Sequence, residues 1–146
     1  MLPALERRAT ARELGAACTF VPTTGQVVRW LHAIDIFVLP SRSEALSNSL
    51  LEAMACGCCP VASRVGGNTE LVRHGENGML FDAGAVDQLS QTLETLLDLR
   101  VLRQQLSRRA RETAEQFSMA ASVRRMEEIY AEFIERSERK RSARRR

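Results

Sequence analysis

The sequence has no apolar run approaching the ~20 residues that a membrane-spanning helix needs. Residues 36–39 are among its longest, and the opening MLPALERR carries no signal-peptide core. A cytoplasmic location is therefore expected. Histidine is scarce: His32 falls on an expected short helix and His74 precedes a glycine turn. Both read as structural, so the chain offers no evident general base or nucleophile. Asp-x-Asp is absent, which leaves no sequence site for a metal-bound diphosphate, and neither a metal nor a cofactor is expected. The four cysteines are Cys18 and the cluster Cys56, Cys58 and Cys59. With no neighbouring histidine the cluster is not expected to hold zinc, and small buried thiols packing at a helix end and a strand start are expected instead.

What is present is 146 residues with 45% apolar content, enough for one soluble domain with a core. The formal charge of +3 is uneven. Residues 137–146 hold Arg139, Lys140, Arg141, Arg144, Arg145 and Arg146 against Glu138 alone, so the rest of the chain is slightly acidic. The basic balance is thus no argument for nucleic acid as a partner. A solvated, disordered tail is expected at 137–146. Contact with anionic lipid head groups is the functional alternative, at about 1 kcal/mol per surface cation.

Residues 2–14 have apolar positions at helical spacing, with Gly15 where a helix would end. Residues 18–22 are a short apolar run bounded by turn residues and suit a buried strand. A short helix is expected at 27–33, with Val27, Trp30, Leu31 and Ile34 facing inward. Residues 35–40 (DIFVLP) are the strongest strand, continuous and β-branched like strands buried on both faces of a parallel sheet. A polar loop at 41–48 leads into a helix at 49–56 closed by Gly57. Strands at 58–64 and 78–81 flank the Gly66-Gly67 turn and a short helix at 69–73. Beyond residue 85 the pattern is three amphipathic helices, the last capped by Ser118. Strands alternating with helices give an α/β fold: a partial doubly wound, Rossmann-like parallel sheet of about four strands, followed by C-terminal helices.

Such sheets bind ligands beyond the carboxyl ends of their strands, where residues 41–57 lie. A loop feeding a helix N-terminus presents unpaired N–H groups and a positive dipole end, which suits a diphosphate. The amides from Ser47 through Asn48 and Ser49 to Leu50 are the candidates. The helix that follows is apolar on nearly every side and is expected to be buried, with Glu52 its only carboxylate. Ser49-Leu-Leu-Glu52 also fits a capping box, in which Glu52 serves a backbone N–H. Glu44, on the loop, is either a solvated acid or the partner of Glu52 in gripping hydroxyls on both sides of a bound diphosphate. Arg42 and Arg64 lie near strand ends, where a solvated or sheet-edge role is expected.

Glu44 and Glu52, with seven residues between them, resemble the paired-glutamate motif of the retaining group 1 glycosyltransferases, family 4, of GT-B fold. The resemblance extends to DIFVLPS (35–41), EAMACG (52–57), PVAS (60–63), GGNTELV (66–72) and GENGMLF (75–81). The chain departs from the pattern at Ala45, often glycine, and at Asn68-Thr69, often Ile-Pro. The resemblance implies that Glu44 contacts the donor sugar as the catalytic carboxylate, and that Glu52 holds the nucleotide ribose. Ala45, Leu46, Ser47, Asn48, Ser49 and Leu50 would line the sugar and phosphates, and Gly66 and Gly67 the same crevice.

By the same resemblance, residues 1–136 are an N-terminally incomplete nucleotide-sugar-binding domain with sheet order 3-2-1-4-5-6, in which 18–22 and 35–40 are strands three and four. The expected partners are a nucleotide sugar, a missing acceptor-binding domain, and peripherally the inner membrane face. The implied activity is retaining transfer of a sugar to a glycan or lipid-linked acceptor. The alternative is a non-catalytic nucleotide-sugar-binding module that complements a partner chain.

Overall fold

The computed structural model describes residues 2–143. Its elements run α1 (Leu2–Ala11), α2 (Val27–His32), β1 (Ile36–Leu39), α3 (Asn48–Ala55), β2 (Cys59–Ser63), α4 (Asn68–Leu71), β3 (Met79–Phe81), α5 (Val86–Asp98), α6 (Arg100–Gln116) and α7 (Met119–Ala143). The three strands form one parallel sheet in the order β1-β2-β3, with Leu39 opposite Ala62 and Ser63 opposite Phe81. Each crossover is made by a helix, as parallel neighbours require.

The period of two along each strand divides the core into two layers. Phe37, Leu39, Ala62 and Leu80 face α3, α4 and the later turns of α6 through Leu50, Met54, Leu71, Ala110 and Ala114. Ile36, Val38, Val61 and Phe81 face α5 and the first turns of α6 through Leu96 and Leu106. β2 is buried throughout, as a central parallel strand should be. The helix–sheet–helix sandwich expected from the alternation is therefore present, with three strands instead of four.

Residues 18–22 form no strand. A strand forms only when a neighbour takes its N–H and C=O groups, and the expected order puts two further strands between this run and β1. No strand occupies that place among the described residues. For the same reason β1 is only half-buried despite its apolar sequence. Of the four residues expected to face inward from α2, only Leu31 is buried. Val27, Trp30 and Ile34 line an open groove of about 560 Å³ with Val21 and Pro22.

Helix ends differ from expectation in instructive ways. Gly15 does not terminate α1: Glu13 at φ 59° does, with Leu14 N–H donating to Ala9 O (2.8 Å) and Glu13 N–H to Thr10 O (3.0 Å), a Schellman pair. The basic tail expected to be disordered continues α7 as helix through Ala143, and residues 144–146 lie outside the described residues. Ser118 caps α7 as expected, its Oγ accepting from Ala121 N–H at 3.2 Å. The apolar stripe of α7, including Val123, Met126, Tyr130 and Phe133, is exposed. No helix among the described residues is long and apolar enough to cross a membrane.

Cys58 and Cys59 are buried in the core, Cys56 is half-buried and Cys18 exposed, all as free thiols. Cys58 Sγ donates to Leu31 O at 3.2 Å, joining α2 to the strand. Burial pushes the Cys58 thiol up, and pushes Cys59 up to about 12 although Arg103 partly offsets it.

Candidate functional site

The carboxyl ends of β1 and β2 lie side by side and deliver two loops to one place. The first, residues 40–47, leaves β1 at Pro40 and enters α3; the second leaves β2 at Ser63 and turns at Gly66-Gly67 into α4. Ser63, fully buried, ties them together by donating from Oγ to Ser41 O at 2.6 Å. Gly67 N–H donates to Glu44 O at 3.4 Å, a longer contact across the same seam. Asn68, also fully buried, donates from Nδ2 to Ser63 O at 3.0 Å.

Glu44 is half-buried, and its Oε1 accepts from Ser41 Oγ at 2.6 Å, a charge-assisted bond in a partly dry site. It is thus neither a free surface acid nor sealed away. The two glycines have a structural reason that the sequence did not show. A Cβ on Gly66 would overlap Glu44 O, and one on Gly67 would stand 2.8 Å from the Ala45 carbonyl carbon. Gly66 also holds φ +43°. The backbone whose approach these glycines permit is that of Glu44 to Leu46, Gly66 facing the Glu44 carbonyl and Gly67 the Ala45 carbonyl.

α3 begins one residue earlier than expected, and its N-cap is Ser47, whose Oγ accepts from Leu50 N–H at 3.3 Å. This places Glu52 five positions past the cap, so it is not the reciprocal member of a capping box. With Leu50 N–H engaged by the cap, Asn48 and Ser49 carry the α3 amides that lack an intrahelical acceptor, and no acidic side chain sits in that first turn. Asn48 and Ser49 are exposed, as are Ala45 and Leu46, whereas Ser47 and Leu50 are buried, and Leu50, with its N–H held by the cap, is removed from the expected set of ligand amides.

The expectation that α3 is buried on all sides is corrected at Glu52, which is exposed. Leu50, Ala53 and Met54 take the buried face, and Glu52 and Ala55 fall on the opposite one by the 3.6-residue period. There they line a groove of about 430 Å³ with Arg111, Glu115 and Phe117. The Glu52 carboxylate makes no hydrogen bond or ion pair among the described residues, so its acceptors are free.

Arg42 is exposed, and Arg64 pairs with Asp82 at 3.5 Å, about half-exposed, an ion pair that contributes little. His74 is structural: its Nδ1 accepts from Leu80 N–H at 3.0 Å. Asn77 stands out only in the structure. It is buried, donates from Nδ2 to Leu71 O and Thr113 Oγ1 at 2.9 Å each, and accepts from Arg73 N–H at 2.7 Å. Neighbouring Gly78 has no room for a side chain, since a Cβ there would meet Pro60 Cγ at 2.7 Å and Val72 Cγ1 at 2.9 Å. The GENG run therefore closes the fold beside α6 and has no evident part in the site.

Residues 3–113 match the family described as Glycosyl transferases group 1, three quarters of the chain. The chain belongs to the group 1 glycosyltransferases. It is 36% identical over 111 residues to the D-inositol 3-phosphate glycosyltransferase of Thermobispora bispora, covering 76% of this chain and 26% of that protein. To the N-acetyl-alpha-D-glucosaminyl L-malate synthase of Bacillus anthracis it is 34% identical over 116 residues, covering 79% and 30%. The chain thus spans about a quarter to a third of the length of these glycosyltransferases. Among solved structures, Anabaena Alr3699/HepE in complex with UDP superposes with a TM-score of 0.83 at 25% identity, over 89% of this chain and 36% of that one. The three-stranded α/β sandwich accordingly matches part of a GT-B glycosyltransferase.

Proposed function

We propose that this chain holds the nucleoside-diphosphate sugar for a retaining glycosyltransferase of family 4, with a glycan or lipid-linked acceptor. The observation that carries the reading is the convergence of Glu44, the open first turn of α3 and the Gly66-Gly67 turn at the carboxyl edge of the sheet. The same Anabaena structure has also been solved in complex with UDP-glucose, which supports a nucleotide sugar as ligand.

In this reading the amides of Asn48 and Ser49 meet the diphosphate, aided by the dipole of α3. Glu44 accepts from sugar hydroxyls as the catalytic carboxylate, with Ala45 and Leu46 lining the sugar. Glu52, exposed and with no ion pair among the described residues, accepts from the ribose hydroxyls. Leaving-group charge is then met by helix amides and cationic side chains, with no metal required. The acceptor is bound by a second structural unit, since the chain corresponds to 36% of the Anabaena protein. The basic segment 137–146 supplies peripheral contact with an anionic membrane face, at a cytoplasmic location.

Saturation-transfer NMR on the chain with UDP-, GDP- and ADP-sugars tests the reading. Transfer to ribose and sugar protons is expected for at least one of them, and none with any of the three would overturn it. The second reading is a binding module without turnover. Transfer to an acceptor on mixing with an acceptor-binding half of a relative separates enzyme part from module.

A further inference from the structure

Glu44 is the last link of a chain of hydrogen bonds that starts in the core. Asn68 Nδ2 donates to Ser63 O (3.0 Å), Ser63 Oγ donates to Ser41 O (2.6 Å), and Ser41 Oγ donates to Glu44 Oε1 (2.6 Å). Asn68 and Ser63 are fully buried, so neither reaches a ligand, and Ser41 and Glu44 are half-buried. The first two bonds fix the Ser41 backbone to the end of the central strand, and the third fixes one oxygen of the carboxylate to Ser41. A glutamate on a loop otherwise has several rotamers to lose when it binds a ligand.

We propose that Ser41 is a positioning residue for Glu44, anchored through Ser63. The inference rests on the reading that Glu44 meets the donor sugar. A carboxylate has about four lone-pair directions. Ser41 occupies one of them on Oε1 and leaves Oε2 free, so the carboxylate is ordered before the sugar arrives. The preorganisation favours the sugar part of the ligand over the nucleotide part, because only the sugar contacts Glu44. A hydroxyl that merely stiffened the loop would instead affect both parts alike, through the α3 amides that follow it.

The test is calorimetric or NMR titration of the full chain with three probe pairs: UDP-glucose and UDP, GDP-mannose and GDP, ADP-glucose and ADP. The readout is the ratio of affinities within the pair for which the wild-type chain prefers the sugar. Ser41→Ala is expected to lower that ratio roughly two- to tenfold, the scale of ordering one rotamer-rich side chain. Ser41→Thr, which keeps the hydroxyl, restores it, and Ser41→Cys, a weaker donor that is less disruptive to the fold, falls between. In a Glu44→Ala background Ser41→Ala has no further effect on the ratio, since its target is gone. A wild-type preference that Ser41→Ala and Ser41→Cys leave intact overturns the inference alone. So does a loss that persists undiminished in the Glu44→Ala background. No wild-type preference in any pair overturns the reading that Glu44 meets the sugar, and the inference with it.

Discussion

The backbone oxygen of Glu44 occupies the space in which a Cβ on Gly66 would stand, and the Glu44 carbonyl carbon lies 3.0 Å from that point. The main chain of Glu44 is therefore packed against a glycine twenty-two residues later in the chain, in the loop that leaves the neighbouring strand.

Gly66→Ala is expected to push the 40–47 loop outward and to place a side chain at φ +43°, which alone costs about 1–2 kcal/mol. Gly75→Ala is the control: its φ of +78° imposes a comparable backbone cost, but open space surrounds its Cβ. Thermal melts and nucleotide-sugar titrations of both variants check the difference. Both should melt lower, whereas only Gly66→Ala should weaken binding, by about tenfold or more if one charged hydrogen bond is misplaced. Equal effects on binding would contradict the close packing of the two loops.

Asn77 predicts a second asymmetry. Asn77→Asp keeps the volume and the acceptor toward Arg73 N–H but turns the donor toward Leu71 O and Thr113 Oγ1 into an acceptor. A buried carboxylate facing the Leu71 carbonyl, with the Thr113 hydroxyl already donating to Arg109 O, should cost about 3 kcal/mol or more at neutral pH. Urea unfolding should show the loss, and it should shrink at acidic pH, where the protonated acid can donate again. An unaltered midpoint at pH 7 would show that Asn77 does not join α4 to α6.

The thiols give a pH dependence with a definite sign. Cys59 ionises near 12 in the folded protein because burial disfavours the thiolate, against 9.0 ordinarily, and Cys58 is shifted the same way. Above pH 9 the unfolded chain releases these protons and the folded one keeps them, so stability falls as pH rises from about 9 toward 12. Below pH 9 these thiols contribute no slope. In a labelling experiment at pH 8, iodoacetamide should modify exposed Cys18 rapidly and Cys58 and Cys59 only on unfolding. Rapid modification of all four would place the second strand at the surface.

Hydrogen exchange should divide the chain in the same manner. β2 is buried on both faces and should be the most protected segment, while α7, with Met119, Tyr130 and Phe133 exposed, should exchange far faster. Protection of α7 equal to that of β2 would mean that its apolar stripe is covered in solution.

Strands and helices whose periodicity reflects a local choice were legible in the sequence. DIFVLP and CCPVASR became neighbouring parallel strands because short continuous runs of apolar and small residues between turn signals have one way to bury both faces. Residues 18–22 have the same composition and form no strand, because strand formation depends on a neighbour that a local pattern cannot reveal. Glu44 and Glu52 were legible as candidates by type and spacing, but their surroundings were not. The cap at Ser47 in place of Ser49, and the exposed face on which Glu52 lies, depend on where the loop hands over to the helix, which Ser47 and Ser49 signal equally well in the sequence. Ser63, at the end of an apolar run, and Asn77, in the polar turn at 73–78, look like ordinary strand-end and turn residues, because a polar side chain signals nothing until its three-dimensional partners are known.

The central claim is that Glu44 and Glu52 divide the donor between them, sugar to one and ribose to the other. Its most direct test is a set of titrations of wild type, Glu44→Ala and Glu52→Ala with a nucleotide sugar, its nucleoside diphosphate and the 2′,3′-dideoxy diphosphate. Glu44→Ala should erase the preference for the nucleotide sugar over the diphosphate and leave the preference for ribose in place. Glu52→Ala should do the reverse, each by about tenfold for a hydrogen bond to a charged group. If both variants keep both preferences, the two carboxylates are not the donor site.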